Sequence, residues 1–174
     1  MTGESEVDSE LAGDHVVLRP IEAADRVTLR GILADPEVRR WWGPEDLDAA
    51  AADLYDDDAH GYTIRVAGEI VGYVQYTEEN EPDYRHAGID VFLGPQGRGR
   101  GFGPDAIRTL ARYLFEVRGH HRLTIDPAAS NERAIAVYER VGFRRVGVMR
   151  RYERGPDGEF HDGVLLDMLR GELT

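Results

Sequence analysis

The 174-residue chain contains no cysteine, which excludes disulfides, thiol catalysis and thiolate metal sites together. No apolar run approaches the roughly 20 residues that a membrane-spanning helix needs, so no membrane partner is expected. The acidic stretch 1–14 lacks the basic start and apolar centre of a secretory signal, and we interpret it as a disordered tail. The six histidines are scattered or adjacent, a pattern that predicts no metal site. These absences favour a cytoplasmic location.

Charge is distributed unevenly along this acidic chain, whose formal net charge is −12. Residues 41–90 contain thirteen acids and two arginines, whereas residues 94–154 contain thirteen arginines and six acids. One part therefore repels anions while the other attracts them, as a phosphate-rich cofactor beside a cationic substrate would require. The alternative is that the acidic loops merely keep the protein soluble. Because the basic part has no interleaved aromatic residues, nucleic acid is not an expected partner.

Hydrophobic periodicity and turn residues predict one domain over residues 15–174, in which strands alternate with helices. Such an alternation predicts a mixed α/β sheet. The predicted helices are 23–34, 45–57, a long helix from the glycines near 101 to about 117, and 131–141. The predicted strands are 15–19, 61–66, 70–77, 85–93, 123–126, 143–149 and 164–169.

A glycine-rich turn, Arg98-Gly99-Arg100-Gly101-Phe102-Gly103, directly precedes the long predicted helix. Alternating glycines leave the backbone bare, so that several N–H groups can face one anion. The N-terminus of the helix adds about half a positive charge at the same place. The turn therefore suits a pyrophosphate, although a solvated loop is the alternative interpretation.

A second pattern follows downstream, Asn131-x-x-Ala134-x-x-x-Tyr138-x-x-x-Gly142-Phe143. Together with the strand ending at Leu93 and with Arg98-x-x-Gly101-x-Gly103, it resembles the GNAT acetyltransferases, which use acetyl-CoA. The resemblance covers nearly all of the chain from residue 15 onward. It implies an α/β fold in which a mixed, mostly antiparallel sheet of about seven strands splays in the middle, flanked by about four helices. Many members dimerise, so a homodimer is compatible with the resemblance.

The resemblance implies that the pantetheine arm of acetyl-CoA enters the splayed sheet after Leu93 and pairs with backbone like an added strand. Backbone amides of the glycine turn would hold the pyrophosphate, with Arg98 and Arg100 assisting as cations. Asn131 would contact the cofactor arm, and it is equally well placed to cap the following helix. The implied cofactor-binding residues are Val91, Phe92, Leu93, Arg98, Gly99, Arg100, Gly101, Phe102, Gly103, Asn131, Ala134 and Tyr138.

Two residues are candidates for the chemistry of acyl transfer to an amine. Asp90 alternates with Ile89 and Val91 on a strand, which predicts that it faces the open cleft. At an ordinary pKa of about 3.9 it would hold the amine and take its proton directly or through water, and a surface salt bridge is the alternative. Tyr138 matches the family's tyrosine that hydrogen-bonds or protonates the coenzyme A sulfur; packing in the core is the alternative.

Shorter patterns resemble the aminoglycoside 6′-N-acetyltransferases, which implies an acceptor amine on a polycation. They are Trp41-Trp42-Gly43, Gly61-Tyr62, Gly68-Glu69-x-x-Gly72-Tyr73-x-Gln75, Gly88-Ile89-Asp90 and Thr124-x-Asp126-Pro127. The implied substrate-binding residues are Trp42, Tyr62, Gln75, Asp90 and Asp126. A loop with four acids, Glu78, Glu79, Glu81 and Asp83, is expected to attract cations without touching them. The alternatives are acetylation of a protein N-terminus, of a siderophore or polyamine amine, or binding of acyl-CoA without turnover.

Overall fold

The computed structural model describes residues 9–43 and 46–174. Within them, one sheet contains eight strands: β1 (Leu11–Ala12), β2 (Val17–Pro20), β3 (His60–Val66), β4 (Glu69–Glu79), β5 (His86–Leu93), β6 (Arg122–Ile125), β7 (Arg144–Arg154) and β8 (Phe160–Leu169). The α-helices are α1 (Arg26–Leu33), α2 (Pro36–Trp42), α3 (Leu47–Asp53), α4 (Phe102–Glu116) and α5 (Glu132–Val141), and a 3₁₀ turn, Ala23–Asp25, precedes α1. The predicted mixed α/β fold is confirmed, with one strand and one α-helix more than expected.

The sheet opens in its middle. Its order is β1-β2-β3-β4-β5-β6-β8-β7, and its neighbours are antiparallel except for β5 and β6, which are joined through the crossover helix α4. The described ladder between these two strands consists of the pairs Ala87–Leu123 and Gly88–Thr124. Beyond Gly88 the strands diverge, and the polar backbone of β5 borders an open space. The predicted splay is therefore confirmed.

Apolar side chains fill both faces of the sheet. On one face, the predicted apolar positions of α4 are buried with those of α5 against β3, β4 and β5. On the other face, α1, α2 and α3 pack against Tyr73 of β4 and Phe92 of β5. Because side chains alternate along a strand, Ile89 belongs to the first core while Phe92 belongs to the second. Asp90 therefore shares the face of Phe92, which is itself buried.

The predicted disordered tail is wrong for residues 9–14, while residues 1–8 lie outside the described part of the chain. Leu11–Ala12 forms β1 and pairs with β2. The backbone N–H groups of Asp14, His15 and Val16 donate to the buried carboxylate of Asp105 in α4, over 2.7–3.1 Å. This long-range anchor cannot be inferred from local composition.

Helix α2 was not predicted: the expected helix 23–34 ends just before Asp35-Pro36, and no further helix was expected there. The same pair begins a new one, because the Asp35 carboxylate accepts the N–H groups of Glu37 and Val38 and proline suits the first helical position. The predicted helix 45–57 is shorter, as α3, with Asp46 as its cap; position 45 lies outside the described residues.

The last two strands are longer than predicted and form an extended hairpin. The register of this hairpin shifts between Arg145 and Gly147 and between Met149 and Glu153. No helix in the described segments is long and apolar enough to cross a membrane.

Candidate active site

A cleft of about 1070 Å³ occupies the gap where β5 and β6 separate. Its walls come from α2, from β5 and the glycine turn that follows it, from α5, and from β7. The topology thus brings together segments that are far apart in the chain. Every predicted site residue except Tyr62, Arg100 and Phe102 lines this cleft.

The glycine turn forms the end of the cleft next to α4. Gly99 and Gly101 have φ angles of 71° and 83°, in the left-handed region that favours glycine, and the space beside them is open. Gly101 is the N-cap of α4, and no side chain caps this end of the helix. The first N–H groups of α4 can therefore bind an anion, a geometry that fits the pyrophosphate of coenzyme A.

The arginines of the turn are engaged with the protein. Arg98 lies at the cleft, but one terminal nitrogen of its guanidinium donates to Asp35 at 2.7 Å and to the Leu93 carbonyl at 3.1 Å. Arg100 lies over the ring of Phe102 at 5.5 Å. Unlike Arg98, Arg100 and Phe102 do not line the cleft. The turn therefore presents backbone, rather than these cations, as its most direct anion ligand.

Residues of α5 and β5 continue the cofactor side of the cleft. Asn131 accepts the N–H of Ala134 at 3.2 Å as the N-cap of α5, and it also lines the cleft. Both interpretations of Asn131 are thus compatible with its position. Along β5, Val91 and Leu93 are partly buried beside the cleft, while Phe92 is 5% exposed.

Asp90 lines the cleft from β5. It faces Gln75 across the β4–β5 ladder, and the Gln75 amide donates to its carboxylate at 3.2 Å. Burial raises the pKa of Asp90, and the charge of Asp126 raises it further, against the opposing effect of the Gln75 hydrogen bond. The assumption of an ordinary pKa was therefore wrong. A raised pKa makes this carboxylate a better proton acceptor.

Tyr138 lines the cleft from α5 and is 8% exposed, with its ring edge against Phe143. Burial, together with the nearby charges of Asp90 and Asp126, raises the pKa of its hydroxyl. Tyr138 therefore keeps its proton at neutral pH. A protonated hydroxyl within the cleft can donate to an anion, as the predicted role of this residue requires.

Besides the glycine turn, the cleft has an aromatic wall and several carboxylates. Trp42 packs edge-on against Phe92, with 4.8 Å between ring centroids. Asp126 accepts a hydrogen bond of 2.5 Å from Tyr152, which raises the pKa of Tyr152 to about 12. A smaller cavity of about 330 Å³ adjoins this region and shares Asp90 and Asp126 with the cleft.

Tyr152 and Glu153 of β7 were missed by the sequence analysis. A bulge brings them to the cleft: Arg151 has a φ of 48°, and its N–H donates to Asp162 at 2.8 Å. A bulge of this kind redirects the side chains that follow it. Desolvation, and then the charges of Asp126 and Asp90, raise the pKa of Glu153. Nothing in the local sequence signals this bulge.

Two expectations are wrong. Tyr62 is 1% exposed and lies in the core beside α4, on the sheet face opposite to Asp90, so it cannot contact a substrate in the cleft. Glu78 and Glu79 do not lie on a loop, because both belong to β4. The Glu78 carboxylate binds Arg118 at 2.8 Å and His120 at 2.7 Å. Its charge is consequently neutralised within the protein.

The fold and the cleft define an acyltransferase of the coenzyme A type, and comparisons with known proteins agree. Residues 15–144 match the model of the Acetyltransferase (GNAT) domain. The chain is 30% identical over 168 residues to the aminoglycoside N(6′)-acetyltransferase type 1 of Klebsiella pneumoniae, covering 84% of this chain and 81% of that protein. The chain therefore belongs to the GNAT acetyltransferase family, and its acyl donor is acetyl-CoA.

Other relatives differ in the acceptor that their names state. The spermidine N(1)-acetyltransferase of Escherichia coli (strain K12) is 27% identical over 156 residues, covering 86% of this chain and 83% of that protein. The solved structure of AAC(6′)-Ib with ribostamycin and coenzyme A has a TM-score of 0.73 and 30% identity, covering 90% of this chain and 94% of that chain. The N-alpha-acetyltransferase RimI of Mycobacterium tuberculosis is 29% identical over 114 residues, 65% of this chain and 68% of that protein.

Proposed function

We propose that this acetyltransferase acetylates an amine of a small polycation, the 6′-amine of an aminoglycoside. The observation that carries this proposal is the charge of the cleft beyond the glycine turn. The charges of Asp90 and Asp126 act on Glu153 there, and the ring of Trp42 lines the same cleft. None of the ion pairs among the described residues involves these three carboxylates. Such a surface favours a ligand with several ammonium groups and an extended sugar face.

Asp90 serves as the base in this proposal. The acceptor arrives as an ammonium ion and must lose a proton before its nitrogen can attack. Asp90 first attracts that ammonium ion and then removes the proton, directly or through one water molecule. The raised pKa of Asp90 supports this step, because it reduces the difference between the pKa of the carboxyl group and that of the ammonium ion. Asp126 holds a second positive group nearby and keeps the pKa of Asp90 high.

Tyr138 serves as the acid. Bound acetyl-CoA supplies the acetyl thioester, so a sulfur leaving group needs a proton when the acyl group moves to nitrogen. The Tyr138 hydroxyl donates that proton, and the proton lost from the newly acylated nitrogen restores the hydroxyl. The remaining proton, held by Asp90, passes to solvent. Amide and free thiol are thus formed, with one proton released for each ammonium ion consumed.

Polyamines form a second candidate class, favoured by the similarity to spermidine acetyltransferase. The same carboxylates suit a linear polyamine, but Trp42 adds a flat wall that a flexible chain does not need. A protein N-terminus is favoured less, because a peptide offers one ammonium ion to a cleft with several unpaired acids. A module that binds acyl-CoA without turnover would need neither Asp90 nor Tyr138 at the cleft.

The experiment measures release of the coenzyme A thiol with four acceptors. Neomycin and paromomycin differ in the 6′ substituent, an amine in the first and a hydroxyl in the second. Spermidine and a short peptide with a free N-terminus complete the set. We expect the catalytic efficiency with neomycin to exceed that with paromomycin by about 100-fold or more, because paromomycin lacks the reacting amine. We also expect it to exceed the efficiencies with spermidine and with the peptide.

Equal rates with neomycin and paromomycin would place the reaction at another amine. A higher efficiency with spermidine would assign the enzyme to the polyamines, and turnover of the peptide alone would overturn the small-molecule proposal. A charge-driven acceptor site also predicts that the Michaelis constant for neomycin rises with salt concentration.

A further inference from the structure

Helix α2 bridges the outer side of the cleft. At its first end, its N-cap Asp35 contacts Arg98 of the glycine turn. At its other end, its C-cap Gly43 lies against Pro156 in the turn between β7 and β8. Its last residue, Trp42, lines the cleft. One short helix thus touches the cofactor turn, the acceptor wall and the last hairpin.

A single carboxylate oxygen holds the first end of α2. Oδ1 of Asp35 accepts the guanidinium of Arg98 at 2.7 Å and the N–H groups of Glu37 and Val38 at 3.2 and 3.3 Å. The same Arg98 nitrogen also donates to the carbonyl of Leu93, the last residue of β5. The side chains of Asp35 and Arg98 are only 15% and 24% exposed, so solvent screens the pair weakly. The hydrogen bond from Arg98 lowers the pKa of Asp35, which stays charged.

Few other contacts hold α2 in place. A helix of seven residues is too short to be stable alone. Its core contacts are Val38, which is 4% exposed, and the edge of Trp42 on Phe92. The ion pair from Glu37 to Arg133 of α5 measures 3.8 Å, and its side chains are 50% and 67% exposed. Exposed pairs of this kind contribute little, so Asp35 is the main polar anchor of α2 among the described residues.

We infer that Asp35 is a positioning residue: through Arg98 it joins the cofactor turn to α2, so that coenzyme A bound at the turn orders the helix that carries Trp42. A pyrophosphate on the turn fixes its backbone and thereby Arg98, which lowers the entropic cost of ordering α2. Coenzyme A thereby strengthens the binding of an acceptor that packs on Trp42. By linkage, that acceptor strengthens the binding of coenzyme A by the same factor. This inference depends on the cofactor site of the family and not on the identity of the acceptor.

The two tryptophans of the chain, Trp41 and Trp42, both lie in α2. Tryptophan fluorescence, excited at wavelengths that tyrosine does not absorb, therefore reports on this helix alone. The test variant is Asp35→Ser, because serine still caps a helix but is too short to reach Arg98. Glu37→Gln is the matched control, since it removes a neighbouring carboxylate of the same helix and leaves the joint intact. Coenzyme A is the ligand, and its affinity is measured separately by calorimetry.

In the wild type we expect saturating coenzyme A to protect the tryptophans from acrylamide quenching. In Asp35→Ser this protection is lost, and the dissociation constant for coenzyme A rises by about fivefold or more, the lower range of allosteric coupling. Glu37→Gln retains the protection and an affinity within about twofold of the wild type, as for an exposed pair. A purely structural role would lower the melting temperature of Asp35→Ser without changing the protection in the folded protein.

Wild-type protection in Asp35→Ser would overturn the inference. The same holds if calorimetry detects coenzyme A binding to the wild type while the tryptophan signal does not change. If Asp35→Ser fails to fold, Asp35→Thr, which also caps a helix without reaching Arg98, and Arg98→Gln provide the same comparison from the two sides of the joint. Retained protection in both would overturn the inference as well.

Discussion

Replacing Asp90 with asparagine tests the central step of the proposed reaction. The side chains have the same shape, and the asparagine oxygen still accepts the hydrogen bond from Gln75. The substitution removes the negative charge and the capacity to take a proton. Asp90 lies in β5, outside the glycine turn, so its replacement leaves the phosphate contacts intact. We therefore expect the dissociation constant for coenzyme A to stay within about twofold of the wild-type value.

The expected loss follows from what a positioned base contributes. General base catalysis accounts for about 10²–10⁴-fold in rate, so Asp90→Asn should lower kcat/KM by that factor, equivalent to roughly 3–5 kcal/mol. The assay follows free thiol with a chromogenic disulfide, using the best acceptor of the four above. Since the chain has no cysteine, the protein itself gives no background signal.

The pH profile separates a base from a residue that only binds. Burial raises the pKa of Asp90, so kcat/KM falls as pH decreases through a pKa higher than the ordinary aspartate value. Asp126→Asn removes a charge that raises this pKa and should move the acid limb to lower pH. Gln75→Leu removes a hydrogen bond that lowers it and should move the limb to higher pH.

The reasoning fails if Asp90→Asn keeps near-wild-type turnover, or if the acid limb survives in this variant unchanged. Shifts of the limb in the same direction in Asp126→Asn and Gln75→Leu would also contradict the assignment, because the two neighbours act on the Asp90 carboxyl with opposite sign.

Three further predictions follow from other parts of the molecule. Tyr138→Phe should lower kcat by about 10²-fold, as for a lost general acid, with the calorimetric affinity for coenzyme A unchanged; an unchanged kcat would leave Tyr138 as a packing residue. Glu153→Gln should raise the KM for the acceptor by about tenfold, because one missing charge contact is worth roughly 1–2 kcal/mol. The core variant Tyr62→Phe should leave this KM unchanged. Equal KM values for the two variants would contradict the assignment of Glu153 to the cleft. Asp105→Ala leaves three N–H groups without their acceptor and should lower the free energy of unfolding in urea by about 3 kcal/mol; a loss below about 1 kcal/mol would show that water replaces the carboxylate.

The amino-acid sequence predicts those parts of the fold whose signals are local. The apolar face of α4, the hairpin of β3 and β4 and the alternation along β5 follow from periodicity and turn residues. The glycine turn is equally readable, because its conformation depends on the missing side chains of Gly99 and Gly101. These elements suffice to assign the family and the cofactor end of the cleft.

The remaining errors share a physical cause, since each depends on a partner distant in the chain. Residues 14–16 are ordered by Asp105, about 90 positions away. Glu78 looked like a free loop acid but is bound by Arg118 and His120. Glu153 reaches the cleft through a bulge fixed by a carboxylate on the next strand. Tertiary contacts decide such positions, and local patterns do not record them.

The position of Asp90 also has a cost in stability, and this cost is measurable. Its folded pKa lies above the unfolded value, so the folded state binds the proton more tightly, and its stability decreases as pH rises through that pKa. At neutral pH the charged carboxylate is poorly solvated, with a neutral amide as its hydrogen-bond donor.

Asp90→Asn should therefore raise Tm by a few degrees at pH 7, because about 1 kcal/mol is worth roughly 2–4 °C in a chain of this size. The gain should vanish below the pKa, where both side chains are neutral. A variant that is more stable and yet inactive is the signature of a carboxylate held for catalysis, whereas equal Tm values at pH 7 would mean that solvent reaches Asp90 freely.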